Sequence, residues 1–215
     1  MNTLNKITFH RCDIGSIGIG ALIVFIAIVL VAGIAASVLV QTSTNLEMQA
    51  LRTGRETITE TSTGLKVMST SGYNTSNEIT NLIVEITLLA GSNPIDLGQT
   101  IVEISDSNSK RILSYGSSVT NASSVNGEIF VNGAFGDDTS FGIIVFQDND
   151  LSCTQEQPVI NYGDHVGIGM NTTALFNGII PRTSINGMVI CEQGSPGIIG
   201  FTTPSSYTRA VMELQ

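Results

Sequence analysis

Hydrophobic and polar positions divide the chain into three stretches of unlike pattern. Residues 1–15 form a polar leader that carries Lys6, Arg11 and Asp13. Residues 17–40 read IGIGALIVFIAIVLVAGIAASVLV, without a charge, and fifteen of these 24 are Ile, Leu, Val or Phe. As a helix at about 1.5 Å per residue this stretch is about 36 Å long, enough to cross a bilayer core of roughly 30 Å. Hiding fifteen such side chains from water is worth on the order of 20–45 kcal/mol, at roughly 1.5–3 kcal/mol each. The helix must therefore lie in lipid or among other apolar helices. After Val40 the polar content rises, yet no Pro interrupts before Pro94. Leu39, Leu46, Ala50, Ile58 and Leu65 continue an apolar set at helical spacing. The helix is predicted to end between Gly54 and Val67.

From Tyr73 onward the pattern changes to short β-like runs separated by Gly, Asn, Ser and Asp. Strands are predicted over 79–90, 100–105, 111–115, 128–131, 141–146, 165–170, 187–190 and 198–202. Turn signals fall at 91–94, Asn126-Gly127, Asn132-Gly133, Asn177-Gly178 and Asn186-Gly187. The predicted fold class is α+β: a long N-terminal hydrophobic α-helix followed by an all-β sandwich or barrel. The domains divide as leader 1–15, helix and stalk 16–66, and outer β domain 67–215.

Composition narrows the function. Net charge is −9 and only 13% of residues are charged, against roughly 25% in an ordinary globular chain. Nine Lys and Arg, unclustered, make a poor nucleic-acid binder, because phosphate contacts need grouped cations. A chain this apolar also lacks the signature of disorder.

Hydropathy alone leaves three readings of the N-terminus. A membrane anchor is the plainest, and Lys6 and Arg11 ahead of the span keep the leader in the cytoplasm and the bulk outside. A secretory signal fits badly, since the apolar run exceeds a 7–15-residue core and lacks a clear A-x-A-like site after it. The third is a class III (prepilin-type) signal. Asp13-Ile14-Gly15 closes the leader and Ser16-Ile17-Gly18-Ile19-Gly20 opens the apolar run. In that order the leader is removed and the apolar helix is kept.

The run SIGIGALIVFIAIVLVAGIAASVLVQTS resembles the N-terminus of archaeal flagellins (archaellins), nearly continuously from Gly18 to Val40. Gly163-Asp164-His165-Val166, Asn171-Thr172-Thr173, Ile180-Pro181-Arg182-Thr183 and Phe201-Thr202-Thr203-Pro204-Ser205-Ser206-Tyr207 resemble family blocks in the same order. The middle, 92–155, is similar only in strand pattern. The resemblance implies cleavage between Gly15 and Ser16, with Gly18 at the third mature position. Asp13 and Ile14 stand where the family usually has cations. Gly20 stands where a type IV pilin usually has Glu. It also implies an immunoglobulin-like outer domain and a major or minor structural subunit of the archaeal flagellar filament, with no enzyme activity and no cofactor. Its implied partners are copies of itself and other archaellins, a preflagellin (prepilin) peptidase, a membrane assembly platform and an oligosaccharyltransferase. After transient membrane insertion the mature protein would be extracellular. Ile19, Leu22, Phe25, Val29, Ala32, Gly33, Ala36 and Leu39 would pack the filament core. Ala32/Ala36 and Gly33/Ser37 allow close helix approach. The second reading is a type IV pilin-like adhesin or a membrane-anchored binding protein with an immunoglobulin-like ectodomain.

Three N-x-[ST] sequons mark Asn74, Asn121 and Asn171 as glycosylation candidates. Cys12 lies in the leader, which leaves Cys153 and Cys191 either as a disulfide in an oxidising compartment or as two separate buried thiols. The disulfide is the expectation. His165 lacks an accompanying nucleophile motif and reads as structural. Asp148-Asn149-Asp150 and Asp137-Asp138 have oxygen ligands of the kind Ca²⁺ takes, but neither forms a complete EF-hand loop. Solvated acidic turns are the expectation, with no metal site. No GxSxG, HExxH, P-loop or paired CxxC occurs.

Overall fold

The computed structural model describes residues 12–122, 129–132 and 134–215. It falls into two compact units, Met1–Arg55 and Glu56–Gln215. Helix α1, Cys12–Ser62, supplies the first unit and the opening residues of the second. It runs for 51 residues, well past the apolar stretch, and several Thr and Ser hydroxyls in its polar half are satisfied inside the helix. Thr42 Oγ1 donates to the Val38 carbonyl, Thr44 to Val40, Thr61 to Thr57 and Ser62 to Ile58. Donation to the i−4 carbonyl satisfies these hydroxyls within the helix, at a slight cost to its stability. The helix stops within the predicted interval, and the chain turns at Thr63 and Gly64 into β1 (Leu65–Thr75).

The second unit is built on one curled nine-stranded sheet. After β1 come β2 (Glu78–Leu88), β3 (Ile95–Asp96), a 3₁₀ turn (Leu97–Gln99), β4 (Ile101–Ser105) and β5 (Lys110–Asn121). A helical turn α2 (Ile129–Asn132), β6 (Ser140–Gln147), β7 (Val159–Ile160) and β8 (His165–Asn171) follow. The chain closes with α3 (Thr172–Phe176), β9 (Ser184–Ile190), β10 (Gly197–Thr202) and β11 (Val211–Glu213). The strand order is β10-β9-β4-β5-β6-β8-β2-β1-β11, with β3 and β7 as a separate pair. Every pairing is antiparallel except β5 with β6, which is parallel. The helix-then-β fold class holds, and the β part is one large curled sheet rather than two stacked layers.

Alternating burial in β10 and the buried runs of β6 and β8 show which strands are covered on one face and which on both. The main core gathers Leu82, Val84 and Ile86 of β2, Val102 and Ile104 of β4, Leu113, Phe141, Ile168, Val189 and Ile199. A second, smaller cluster lies on the opposite face of β2 and β6, where Ile83 and Ile144 meet Phe130 of α2. Phe130 stacks on Tyr73 at 5.4 Å between centroids and on Phe135 at 6.1 Å. That aromatic cover accompanies one correction: of the stretch predicted as a strand at 128–131, residue 128 lies outside the described residues and the rest lies in a helical turn over Ile129–Asn132. One predicted turn is also corrected: Asn186-Gly187 lies inside β9. Asn177-Gly178 does turn the chain, at the end of α3, with Asn177 left-handed at φ 61°. The Asn126-Gly127 signal, and Gly133 of the next one, lie outside the described residues.

Gly142 and Gly169 sit opposite each other on β6 and β8, and both face the Ala134 carbonyl. A Cβ on either would overlap that oxygen. Gly169→Ala is expected to destabilise the β unit by about 1–3 kcal/mol, read as a lowered melting midpoint. Gly91→Ala is the control for conformational strain alone, since its φ is 86° but no atom lies within 4 Å of a Cβ there.

Candidate functional site

The largest chemical anomaly is the surface of α1. Its described side chains are exposed from residue 17 to residue 58. Phe25 is 66% exposed and Leu39 70%, and Ile19, Leu22 and Val29 are comparable. A helix that is apolar on one face packs on its own domain. One that is apolar all round must be enclosed by protein or lipid. Gly18, Gly20 and Gly33 have nothing within 4 Å of a Cβ, so nothing inside this one chain requires them to be glycine. Of the predicted packing residues, Ala32, Gly33 and Ala36 lie on the same exposed rod. Of the predicted cleavage residues, Gly15, Ser16 and Gly18 all lie in the first turns of α1, with Gly15 and Gly18 exposed. Lys6 and Arg11 lie outside the described residues.

A second feature is one that local sequence reading missed in part. Asp148 and Asp150, taken as a loop pair, are joined by Asp164, and the carboxylate oxygens of all three lie within 4.8 Å of one another. Asp148 Oδ2 accepts from the Cys153 N–H at 3.0 Å, and Asp150 Oδ2 from Asn161 Nδ2 at 2.6 Å. Asp164 is 2% exposed, and its Oδ2 accepts from the Asn161 N–H at 2.8 Å. Burial, reinforced by the charges of Asp148 and Asp150, pushes Asp164 above the ordinary carboxylate value, against the lowering effect of the Asn161 and Asn149 N–H groups. Asp150 is held below that value, first by its hydrogen bonds with Ser152. The cluster offers only oxygen donors, the set that suits a hard divalent cation rather than zinc. Asp137 and Asp138 do not join it; they are exposed ahead of β6. His165 opens β8 opposite Gln147.

The sequons differ sharply. Asn74 is half-buried, its Nδ2 donates to the Arg209 carbonyl at 3.3 Å, and its Oδ1 is buried without a hydrogen bond. Asn171 caps α3, its Oδ1 accepting from the Ala174 N–H at 3.1 Å. Thr172 in the middle of that sequon is buried, with its hydroxyl on the Ile79 carbonyl at 2.6 Å. Asn121 is exposed at the end of β5.

Cys153 and Cys191, the expected disulfide, stand as free thiols. Cys153 is held by the Asp148 hydrogen bond and a bridge to Pro158, whereas Cys191 follows β9, whose last residue pairs with Ile101. A disulfide needs both Cα atoms about 4.4–6.8 Å apart with converging Cβ vectors. Cys153 sits at an isolated bridge in the loop after β6, and Cys191 directly beyond the end of β9. Burial pushes the Cys153 thiol up to about 12, with the charges of Asp148 and Asp164 adding to it, and Cys191 up to about 11. Neither is a reactive thiolate at neutral pH.

Residues 15–201 match the archaeal-type flagellin family. Flagellin B2 of Methanocaldococcus jannaschii is 42% identical over 206 residues, covering 94% of this chain and 95% of that one. Flagellin B3 of Thermococcus kodakarensis is 36% identical over 251 residues, covering 94% and 97%. The crystal structure of archaeal flagellin FlaB1 from Methanocaldococcus jannaschii superposes with a TM-score of 0.64 at 31% identity, over 71% of this chain and 97% of that one. The archaeal flagellum of Methanospirillum hungatei strain JF1 shares the fold, with a TM-score of 0.62 at 14% identity, over 91% and 98%.

The raised value of Asp164 has a consequence for stability. Between its ordinary value of 3.8 and its raised value, the folded chain holds a proton that the unfolded chain has lost. Stability from this group is therefore present at low pH and falls as pH rises through that window. Asp164→Asn keeps an oxygen acceptor for the Asn161 N–H and cannot ionise. Its melting midpoint is expected to gain on the unsubstituted chain as pH rises from below 3.8 to neutrality, in thermal melts without divalent cations. A constant difference across pH would remove the titration of Asp164 from the account.

Proposed function

The chain belongs to the archaeal-type flagellin family, and from that membership we propose that it is a structural subunit of the archaeal flagellar filament, polymerising through α1. The observation that carries this reading is the unbroken apolar surface of residues 17–40, with its side chains in the open. The membership does not favour the alternative of a pilin-like adhesin or an anchored binding module. A membrane holds the precursor, and in the filament the same surface is enclosed by neighbouring copies of α1. Leaving lipid for a helix bundle trades one apolar environment for another. Assembly is then driven by van der Waals packing and close approach, not by removing apolar surface from water. Ala32, Gly33, Ala36 and the glycines at 18 and 20 supply the close approach.

The leader is proposed to be cut between Gly15 and Ser16 by a preflagellin peptidase before a membrane assembly platform adds the subunit to an extracellular filament. The family match beginning at residue 15 supports that boundary. The β unit is proposed as the exterior of the filament, with a glycan placed by an oligosaccharyltransferase on Asn121, whose exposed amide contrasts with the engaged ones of Asn74 and Asn171. Nothing in these roles calls for a cofactor or a chemical step by the subunit itself.

Val29→Glu puts a carboxylate in the middle of the apolar run, at about +2.5–3.5 kcal/mol per charged residue at the centre of an apolar span. Loss of filaments, with the chain still present in cells, is the expected result; normal filaments would sink the assembly reading. Mass spectrometry of native filaments is expected to find Ser16 as the first residue. Asn121→Gln should remove glycan mass that Asn74→Gln leaves in place.

A further inference from the structure

We propose that the side-chain amide of Gln215 is a latch that closes the nine-stranded sheet into a barrel, by standing in for one residue of a missing strand beside β10. The inference is independent of the filament reading. By strand order β10 and β11 are the two edges of the sheet. An open edge presents unpaired N–H and C=O groups to any passing strand. The edge of β10 is not open. Gly200 N–H donates to Gln215 Oε1 at 3.0 Å, and Gln215 Nε2 donates to the Ile198 carbonyl at 3.4 Å. Donating to residue i−1 and accepting from residue i+1 is what one residue of a parallel strand does opposite residue i. Here residue i is Ile199.

Parallel pairing is also the sense of the seam next to it. Gly64 forms a parallel bridge with Ser195: Leu65 N–H donates to the Ser195 carbonyl at 3.1 Å, and Ser195 N–H to the Thr63 carbonyl at 2.9 Å. Counting four residues along each chain from that bridge puts Met68 opposite Ile199. Met68 falls in the irregularity of β1, where pairing with β2 jumps from Val67↔Ile86 to Ser69↔Glu85. The backbone of β1 does not supply the partner at that place, and the Gln215 amide does. Gln215 is itself held on β1, since Thr70 N–H donates to its main-chain carbonyl at 3.1 Å and Leu214 N–H donates to the Thr70 carbonyl at 2.7 Å. Its Oε1 also accepts from Thr70 Oγ1 at 3.5 Å. The open space around Gly200, where a Cβ would meet only Asn186 Oδ1 at 3.9 Å, leaves room for the amide to reach the strand.

Hydrogen exchange of the full chain in detergent tests the latch at one amide. In Gln215→Ala the Gly200 N–H is expected to exchange roughly tenfold faster, the population shift of one lost hydrogen bond, with Ile168 N–H in β8 unchanged. Gln215→Glu, compared at a pH where its carboxyl is protonated, keeps both an acceptor oxygen and a donor O–H, so Gly200 should stay protected. Gly200 exchange equal to that of the unsubstituted chain in Gln215→Ala overturns the proposal. Equal acceleration in Gln215→Glu overturns it as well, by assigning the effect to general loosening, and this arm can be read even if the Ala variant does not fold.

Discussion

Water cannot accommodate the surface of α1, and the rest of the chain's design follows from that single constraint. Fifteen large aliphatic or aromatic side chains in 24 residues leave no polar face with which to lie on a soluble body. Two environments can take such a rod, a bilayer and a bundle of like rods. A filament subunit passes from one to the other. The transfer is nearly neutral in hydrophobic free energy, so in the proposed assembly small differences in packing would set its direction, and small residues such as Ala32, Gly33 and Ala36 would permit close helix approach.

The β unit answers a different requirement, which is to be self-sufficient. Its apolar residues form one main cluster with a smaller aromatic one beneath α2, and every buried member of both lies between residues 65 and 201. Its sheet is curled, one edge strand is closed by a side-chain amide, and its surface is acidic. These properties keep like domains from pairing strand to strand when many copies are held close together.

What local sequence could and could not reveal follows from range. The helix was legible from its apolar run, and its extension to Ser62 was bracketed although Thr-rich stretches argue against helix, because intrahelical hydroxyl bonds are themselves local. Strand β1 was not legible: LKVMSTSGYNT is half polar, and its place is set by ten paired residues of β2 alongside it. The helical turn at Ile129–Asn132 looked like a strand because Ile, Phe and Val favour one. Contacts with Tyr73 and Phe135 decided otherwise. Locally, Asp164 is legible only as part of a family block; that it completes a carboxylate cluster depends on the turn before β8 bringing it back to the loop after β6. Cys153 and Cys191 stand as free thiols for the same reason, since parity counts thiols and says nothing of where the fold places them.

A reconstruction of the native filament at side-chain resolution tests the central claim most directly. The account predicts that residues 17–40 of every copy are enclosed by the same segment of neighbouring copies, with Phe25 and Leu39 out of contact with water and the β units outermost. Subunits joined through their β units alone, with the apolar helix absent or facing solvent, would contradict it.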